Sequence, residues 1–284
     1  MFGFTLMTMA DGWGWSLMEQ ANGILTRPFN NLAGRSWLFD SLVSLPLEND
    51  LVKAALVGAC FYAAWHEHAR LPEAIALRKM LLVTLVAAAL TITTTKMLSH
   101  TVLLPRPLVQ SQPLYYLEAD QLVVNTTVAG NRVPLDKESQ KAQRNLLRGD
   151  VDINDLGSFP SDHAGLFFSL AFGIWLASRR YGRWALAWVV LVVIQAKLIS
   201  GQHTMLDALG GIGTGAAVVL ECRYLARRRW PDKILTRLLQ WAEEHQAVAS
   251  ALLFVIVFEI ANTLTHIRHL LKFASEAGRY LLKG

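Results

Sequence analysis

The sequence predicts an all-α protein, a polytopic bundle of about six transmembrane helices preceded by an N-terminal amphipathic segment. The first observation is composition: 53% of the 284 residues are hydrophobic and only 17% are charged. The second is that the apolar residues form runs of about 20, long enough to cross a bilayer as helices. The third is that arginines collect in the short connections between these runs. A single membrane domain is therefore expected rather than a soluble core.

The predicted membrane domain covers residues 49–272 and is followed by a short C-terminal tail, 273–284. Its spans are predicted near 50–66, 79–98, 161–178, 184–200, 204–226 and 247–270.

Residues 1–48 have a different character and are predicted to form the interfacial segment. Between 12 and 48, tryptophans such as Trp13 and Trp37 alternate with polar and basic residues such as Arg27. This stretch is too polar to span a bilayer. It is amphipathic enough to lie along the interface with its tryptophans at headgroup depth.

The formal charge of +5 is explained by basic loops and gives no reason to expect a nucleic acid partner. The two cysteines, Cys60 and Cys222, fall inside separate predicted spans. They indicate neither a disulfide framework nor a metal site.

Arginine-rich connections fix the predicted orientation. Segments 67–79, 179–183 and 223–237 fall on one face by span counting, and the positive-inside rule makes that face cytoplasmic. The long loop 99–160 and the turn 201–203 then lie on the opposite face. The sequence therefore predicts that residues near these two segments face the periplasm or the cell exterior.

Candidate site residues concentrate on that outer face. Two short strings, Pro160-Ser161-Asp162-His163 and His203–Asp207, stand where apolar runs meet polar loops, and Lys96, Arg106 and Lys197 lie near the same face. A lone polar residue at a helix end is often structural, and either lysine alone is equally well explained as a snorkelling anchor. Several such residues arriving from four helix ends favour a functional site.

Their chemistry suits phosphoryl transfer, which needs a nucleophile, a proton donor and groups that hold phosphoryl oxygens. His203 and Asp207 are one helical turn apart, so the carboxylate can hold one imidazole nitrogen while the other attacks phosphorus. His163 can protonate the leaving oxygen. Free amides at the helix start near Ser161 form an anion site, and Arg106, stiffened by flanking prolines, suits bidentate phosphate binding.

These strings resemble the motifs of the type 2 phosphatidic acid phosphatase superfamily, the membrane relatives of vanadium haloperoxidases. The family pattern is KxxxxxxRP, then PSGH, then SRxxxxxHxxxD. Arg106-Pro107 matches the end of the first block, Pro160–His163 the second, and Lys197 through His203 to Asp207 the third. The resemblance covers roughly residues 96–215.

The resemblance implies a role for each matching residue. His203 is expected to be the phosphohistidine nucleophile, Asp207 its partner and His163 the general acid. Phosphate binding is expected from Arg106, Ser161, Lys197 and the backbone amides near Asp162. Neither a metal nor another cofactor is expected.

Three positions depart from the family pattern. The first-block lysine is replaced by Ser99, with Lys96 one turn earlier on the same helix face, and the Ser-Arg pair is Ala196-Lys197, which loses the guanidinium fork. Asp162 replaces a glycine and should repel a phosphate dianion. It can be accommodated if it points away, pairs with Lys96 or Arg106, or contacts a substrate headgroup, so we count it and Lys96 among the substrate-binding candidates.

The segment 108–158 is polar and mixed in charge. We expect either a lid that recognises the headgroup beyond the phosphate or a solvated connector.

These observations predict an integral membrane lipid phosphatase of the bacterial inner membrane with an outward-facing site. The favoured substrate is a polyprenyl phosphate or diphosphate such as the undecaprenyl carrier. Phosphatidylglycerophosphate, phosphatidic acid and lipid A are alternatives. A lipid phosphotransferase on the same scaffold is the second class, and a non-hydrolytic binding protein the third. The expected partners are the bilayer and its lipid phosphate, and the oligomeric state stays open.

Overall fold

The computed structural model describes the greater part of the chain. The described residues are 13–67, 71–102, 106–107, 114–118, 121–125, 141, 144–145, 148 and 157–261.

The N-terminal part of the described chain is helical. Its helices are α1 (Trp13–Asn30), α2 (Trp37–Glu48), α3 (Asp50–Trp65) and α4 (Leu71–Thr101). Side chains before α2 and α3 act as N-caps: Ser36 accepts a hydrogen bond from the amide of Phe39, and Asn49 accepts from the amide of Leu51. From residue 13 onward the predicted interfacial segment is thus largely helical, and its location at a membrane surface stays a prediction.

The C-terminal part is also helical. It contains α5 (Asp162–Ala177), α6 (Arg179–Trp188), a π-helical segment (Val189–Ile194), α7 (Gln195–Ile199), α8 (Met205–Ala226), α9 (Arg229–Glu244) and α10 (Gln246–Ala261). The stretch from α6 through the π-helical segment to α7 is continuous. The predicted tail 273–284 and the end of the last predicted span lie outside the described residues.

Helices form the body of the described molecule, which confirms the all-α prediction, and the described residues also contain one short hairpin. Strands β1 (Leu114–Glu118) and β2 (Gln121–Asn125) pair antiparallel, with Tyr116 opposite Val123. The hairpin lies within the segment 108–158, most of which is outside the described residues. The lid therefore stays a prediction.

Among the described residues, three helical stretches are long and apolar enough to cross a membrane: Glu73–Thr101, Arg179–Ile199 and Met205–Ala226. The apolar helices Asp162–Ala177 and Gln246–Ile260 are shorter. A membrane protein is therefore supported, whereas six spans are not confirmed. One reason is local: Ser161 caps α5 and the residues from Ser178 onward start α6, so the apolar run yields only 16 residues of helix.

Helices α4, α5 and α8 form the centre of the bundle and approach closely at glycines. A Cβ atom added to Gly211 would lie 2.4 Å from the carbonyl oxygen of Ser161, and one added to Gly215 would lie 2.6 Å from that of Gly165. Small residues four apart permit such contact between apolar helices. The N-terminal turn of α5 is thereby held directly against α8.

Candidate active site

Four helix ends meet at one end of the bundle. The amide of Ser161, just before α5, donates to the carbonyl oxygen of Asp207 in the first turn of α8 at 2.9 Å. Near the end of α4, Lys96 Nζ lies 3.9 Å from Asp162 Oδ2. The end of α7 joins them through the short loop 200–204. The predicted gathering of motif residues on one face is therefore what the structure contains.

The loop 200–204 carries His203 and is folded by backbone hydrogen bonds. The amides of Gln202 and His203 both donate to the carbonyl oxygen of Lys197, at 3.0 and 3.3 Å. Gly201 has a φ of 70°, a left-handed conformation that glycine adopts without steric cost. The chain can therefore reverse within a few residues and present His203 beside the start of α8.

Asp207 is oriented by a capping box at the start of α8. The amide of Thr204 donates to Asp207 Oδ2 at 2.7 Å, and the amide of Asp207 donates to Thr204 Oγ1 at 3.3 Å. The carboxylate is thus turned back toward the loop, where Oδ2 lies 3.6 Å from His203 Nδ1. The predicted His203–Asp207 pair is present, at a distance longer than a direct hydrogen bond.

Ser158 bridges this pair, and sequence reasoning missed it. Its hydroxyl donates to Asp207 Oδ2 at 2.5 Å, and its Oγ lies 3.3 Å from His203 Nδ1. A hydroxyl has one proton to donate. Because that proton is given to Asp207, Oγ can only accept from His203, which places the imidazole proton on Nδ1. The lone pair of His203 is then on Nε2, the nitrogen available for attack.

All three groups are withdrawn from solvent: Ser158, Asp207 and His203 are 1%, 2% and 3% exposed. Burial lowers the pKa of His203, and the charges of Arg106 and Lys197 act in the same direction, while Asp207 opposes them. The net effect favours neutral imidazole. A neutral His203 is the form that a nucleophile requires.

His163 has a carboxylate partner of its own. Asp162 Oδ1 lies 2.7 Å from His163 Nδ1 and also accepts from the His163 amide at 2.7 Å. The other oxygen of Asp162 is the one near Lys96. The residue that replaces the family glycine therefore pairs with the candidate general acid and with the displaced lysine.

Two predicted phosphate ligands share a small cavity with His203. Ser161, Lys197 and His203 line a cavity of about 10 Å³, close to the volume of one water molecule. Lys197 Nζ donates to Gln202 Oε1 at 2.7 Å. Ser161 Oγ caps α5 by accepting from the amide of Ala164 at 3.4 Å. The side chains predicted from the second and third motif blocks thus converge.

Arg106 contributes charge and an unused donor. Its positive charge acts on His203, so the two lie within electrostatic reach of each other. Its Nε is buried and has no hydrogen-bond partner among the described residues. Buried unsatisfied donors are rare in proteins. This N–H is suited to a phosphoryl oxygen.

Helix α1 supports the histidine loop from the side. Asn30 Nδ2 donates to the carbonyl oxygen of Ile199 at 3.1 Å, and the amide of Met205 donates to Thr26 Oγ1 at 2.9 Å. One turn earlier, Asn22 Oδ1 accepts from the amide of Leu206 at 3.2 Å. Both flanks of the loop are therefore hydrogen-bonded to one face of α1. The spacing of four between these polar residues was visible in the sequence, but their partners were not.

No group of three or more His, Cys, Asp or Glu side chains that could hold a metal ion occurs within the described part of the chain.

Comparison with known proteins identifies one family. The family model of the PAP2 superfamily matches residues 76–231, which include every predicted site residue. No curated protein and no solved structure matches the chain significantly. The matched range runs from α4 into α9 and leaves α1, α2 and α3 outside it.

Proposed function

The chain belongs to the PAP2 superfamily, and from this premise we propose that it hydrolyses a lipid phosphate through a phosphohistidine on His203. The superfamily is one of phosphatases, and with the apolar helices it indicates a membrane phosphatase. Our proposal adds three statements to this: the substrate is a lipid, the intermediate is covalent, and the site faces outward.

The observation that carries the proposal is the chain of contacts from His203 through Ser158 to Asp207. It assigns the proton to Nδ1 and leaves Nε2 as the nucleophile. An imidazole held only for structural reasons does not require one defined tautomer. A phosphorus nucleophile does, because the attacking nitrogen must carry a lone pair.

In the first step, Nε2 of His203 attacks phosphorus and the P–O bond to the lipid breaks. The lipid leaves as an alcohol, because His163 donates a proton to the departing oxygen. Burial and the charge of Lys197 lower the pKa of His163 to about 4, and we assign its protonation in the complex to the negative charge of the bound phosphate. His203 becomes a cationic phosphoimidazole with its proton still on Nδ1. Asp207 stabilises that cation through Ser158 and by its own charge at 3.6 Å.

In the second step, water attacks the phosphoimidazole. Neutral His163 takes a proton from the water, the P–N bond breaks, and inorganic phosphate leaves. His203 recovers its neutral form and His163 its proton, so the cycle closes without a further reactant. Asp162, paired with His163 Nδ1, holds that ring in place through both transfers.

The phosphoryl oxygens are proposed to bind three kinds of donor. These are the buried Nε of Arg106, the ammonium of Lys197 and the backbone amide of Asp162 in the first turn of α5. Lys96 Nζ lies 3.9 Å from Asp162 Oδ2. We propose that the ammonium of Lys96 balances the negative charge of both this carboxylate and the substrate phosphate.

A lipid substrate is supported by the position of the site at the ends of apolar helices. A polyprenyl phosphate or diphosphate remains our favoured class, by analogy and from the loop charges. Phosphatidylglycerophosphate, phosphatidic acid and lipid A are the alternatives. A phosphotransferase would differ only in the second step, where a lipid hydroxyl would replace water.

The test is phosphate release by the purified full-length protein from a panel of these lipid phosphates in mixed micelles. With labelled substrate, rapid quenching should trap an acid-labile phosphoenzyme. His203→Ala should abolish both signals, and His163→Ala should slow lipid release. His245→Ala alters an exposed histidine directly after α9 and should behave like the unaltered protein.

A phosphoenzyme or phosphate release that survives His203→Ala would refute the mechanism. Product that forms only when a lipid alcohol is added would instead establish the phosphotransferase.

A further inference from the structure

A second cavity lies at the opposite end of the bundle from His203. Its volume is about 760 Å³, and its walls come from the start of α4, the α5–α6 junction, the end of α8 and α9. The charged residues that line it are Glu67, Glu73, Lys79, Arg179, Arg180, Arg223, Arg227 and Asp232. Five cations therefore face three carboxylates.

Four arginines of this cavity have no carboxylate within ion-pair distance among the residues that the structure describes. Two of them, Arg223 and Arg227, stand one turn apart at the C-terminal end of α8, where Arg227 is the residue that follows the helix. Like charges at this spacing destabilise a helix unless an anion compensates them. By contrast, Lys79 is paired with Asp232 at 2.6 Å, so the strongest carboxylate contact in the cavity is already used.

The other two arginines begin α6. Arg179 stacks on the ring of Trp175, with its guanidinium carbon 3.4 Å from the ring centroid. Stacking of this kind holds a guanidinium in place while its edge N–H groups remain available. Arg180 follows it directly. The cations are thus presented by two separate helix ends toward one space.

The inner wall of the cavity is apolar. It is formed by Leu77, Met80, Val83, Leu176, Ala177 and Leu235. A small hydrophilic anion would gain nothing from contact with these aliphatic side chains. An amphiphile can place its headgroup on the arginines and its glycerol and first methylenes on the aliphatic side chains. Anionic lipids at a membrane surface have this combination.

We propose that this cavity binds the headgroup of an anionic phospholipid in the leaflet opposite the active site. None of the described residues that line this cavity is a histidine, and its position separates it from the His203 loop. It is therefore a binding site, not a second catalytic centre. The bound lipid would neutralise Arg223 and Arg227 and join the ends of α6 and α8.

The test measures lipid retention by the purified full-length protein in neutral detergent, using native mass spectrometry. The probes are dioleoylphosphatidylglycerol, dioleoylphosphatidylcholine and inorganic phosphate. We expect one phosphatidylglycerol to bind in preference to phosphatidylcholine. Removing both arginines at the end of α8, Arg223→Gln with Arg227→Gln, should weaken phosphatidylglycerol binding by about tenfold or more.

The matched control removes the same charge from the same end of the molecule, outside the cavity: Arg183→Gln with Arg237→Gln, two exposed arginines. It should change binding less than twofold. Arg223→Lys with Arg227→Lys keeps the charge and should give an intermediate loss, and phosphatase activity reports whether each variant is folded.

Equal losses in the cavity and control variants would show a diffuse surface attraction and overturn the proposal. Equal retention of phosphatidylcholine would overturn it as well. Saturation by inorganic phosphate alone, at concentrations similar to those of the lipid, would assign the cavity to a free anion instead.

Discussion

Asp162 Oδ1 lies 2.7 Å from His163 Nδ1, so the candidate general acid has a carboxylate partner next to it in the chain. The site therefore contains two imidazole–carboxylate pairs, one at each histidine. In the family pattern a glycine occupies position 162, and the lysine stands at 99 rather than 96. Lys96 Nζ lies 3.9 Å from Asp162 Oδ2. These two differences from the family pattern are therefore connected, because the positive charge of Lys96 balances the negative charge of Asp162.

Replacing this carboxylate should change how activity depends on pH. A carboxylate beside an imidazole favours its protonated form. In Asp162→Gly and in the closer isostere Asp162→Asn, we therefore expect the alkaline limb of the kcat profile to move to lower pH. Burial and the charges of Lys197 and Lys53 lower the pKa of His163 to about 4 and remain in both variants, whereas the opposing effect of Asp162 is lost. Steady-state rates between about pH 3 and 8 measure the effect, and an unmoved alkaline limb in both variants would contradict it.

Loss of the Ser158 hydroxyl should impair catalysis more than stability. Ser158→Ala removes the hydroxyl that links Asp207 to His203 as the imidazole becomes cationic. Loss of a charge-assisted hydrogen bond of about 1.5–3 kcal/mol at that stage lowers kcat by roughly tenfold to a hundredfold. The control is Ser169→Ala, since Ser169 is equally buried and donates only to the carbonyl oxygen of Leu166. Both variants should lose similar thermal stability. Similar kcat values in the two would remove Ser158 from the mechanism.

The acidic limb of the pH profile for the rate of phosphoenzyme formation should report the protonation of His203. Burial lowers the pKa of His203 below its ordinary value of 6.5. The neutral nucleophile therefore persists as the pH falls through 6.5, and the rate should decline only at lower pH. The charge of Arg106 also lowers this pKa, so Arg106→Gln should move the acidic limb to higher pH and raise KM. Single-turnover rates across pH measure both, and a limb that moves the other way would refute the assignment.

Close contact between α5 and α8 should be sensitive to a single methyl group. Gly211→Ala would place a carbon 2.4 Å from the carbonyl oxygen of Ser161, which must then shift. Overpacking of this kind costs about 1–3 kcal/mol. Gly213→Ala is the control on the same helix, because an added Cβ there meets no atom within 4 Å. Thermal unfolding and activity should both decrease for the first variant only.

The loop that carries His203 should depend on Asn30. Asn30→Ala leaves the buried carbonyl oxygen of Ile199 without this donor, at a cost of about 1–3 kcal/mol. We expect a lower Tm and a lower kcat. Asn31→Ala, at the exposed neighbouring position, should change neither. If both variants keep full activity, α1 does not support the site.

Sequence reasoning predicted the meeting of the motif residues because each motif stands at the end of an apolar run. Alternating helix direction then brings those ends to one face. The partners within the site were harder to predict. Ser158 lies only three residues before Ser161, yet its contact with Asp207 depends on how close α5 and α8 approach.

The number of membrane spans was less predictable for a related reason. Hydropathy measures the length of an apolar run, whereas helix length is set by caps such as Ser161 and Ser178, which shorten α5 to 16 residues.

The partners of Asp162 also could not be chosen from the sequence alone. Its charge suggested repulsion, or pairing with Lys96 or Arg106, and the geometry adds His163 as its nearest partner and places Lys96 Nζ 3.9 Å away.

The hydrogen bonds between α1 and the residues Ile199 and Met205 indicate how much of the chain is needed for catalysis. The region matched by the family begins at residue 76, after the helix that supplies these bonds. A chimaera that transplants only the matched region into a relative should therefore contain His203 without the α1 hydrogen bonds that hold its loop, and we expect it to lose turnover. Exchanges that carry residues 22–30 as well are expected to retain turnover.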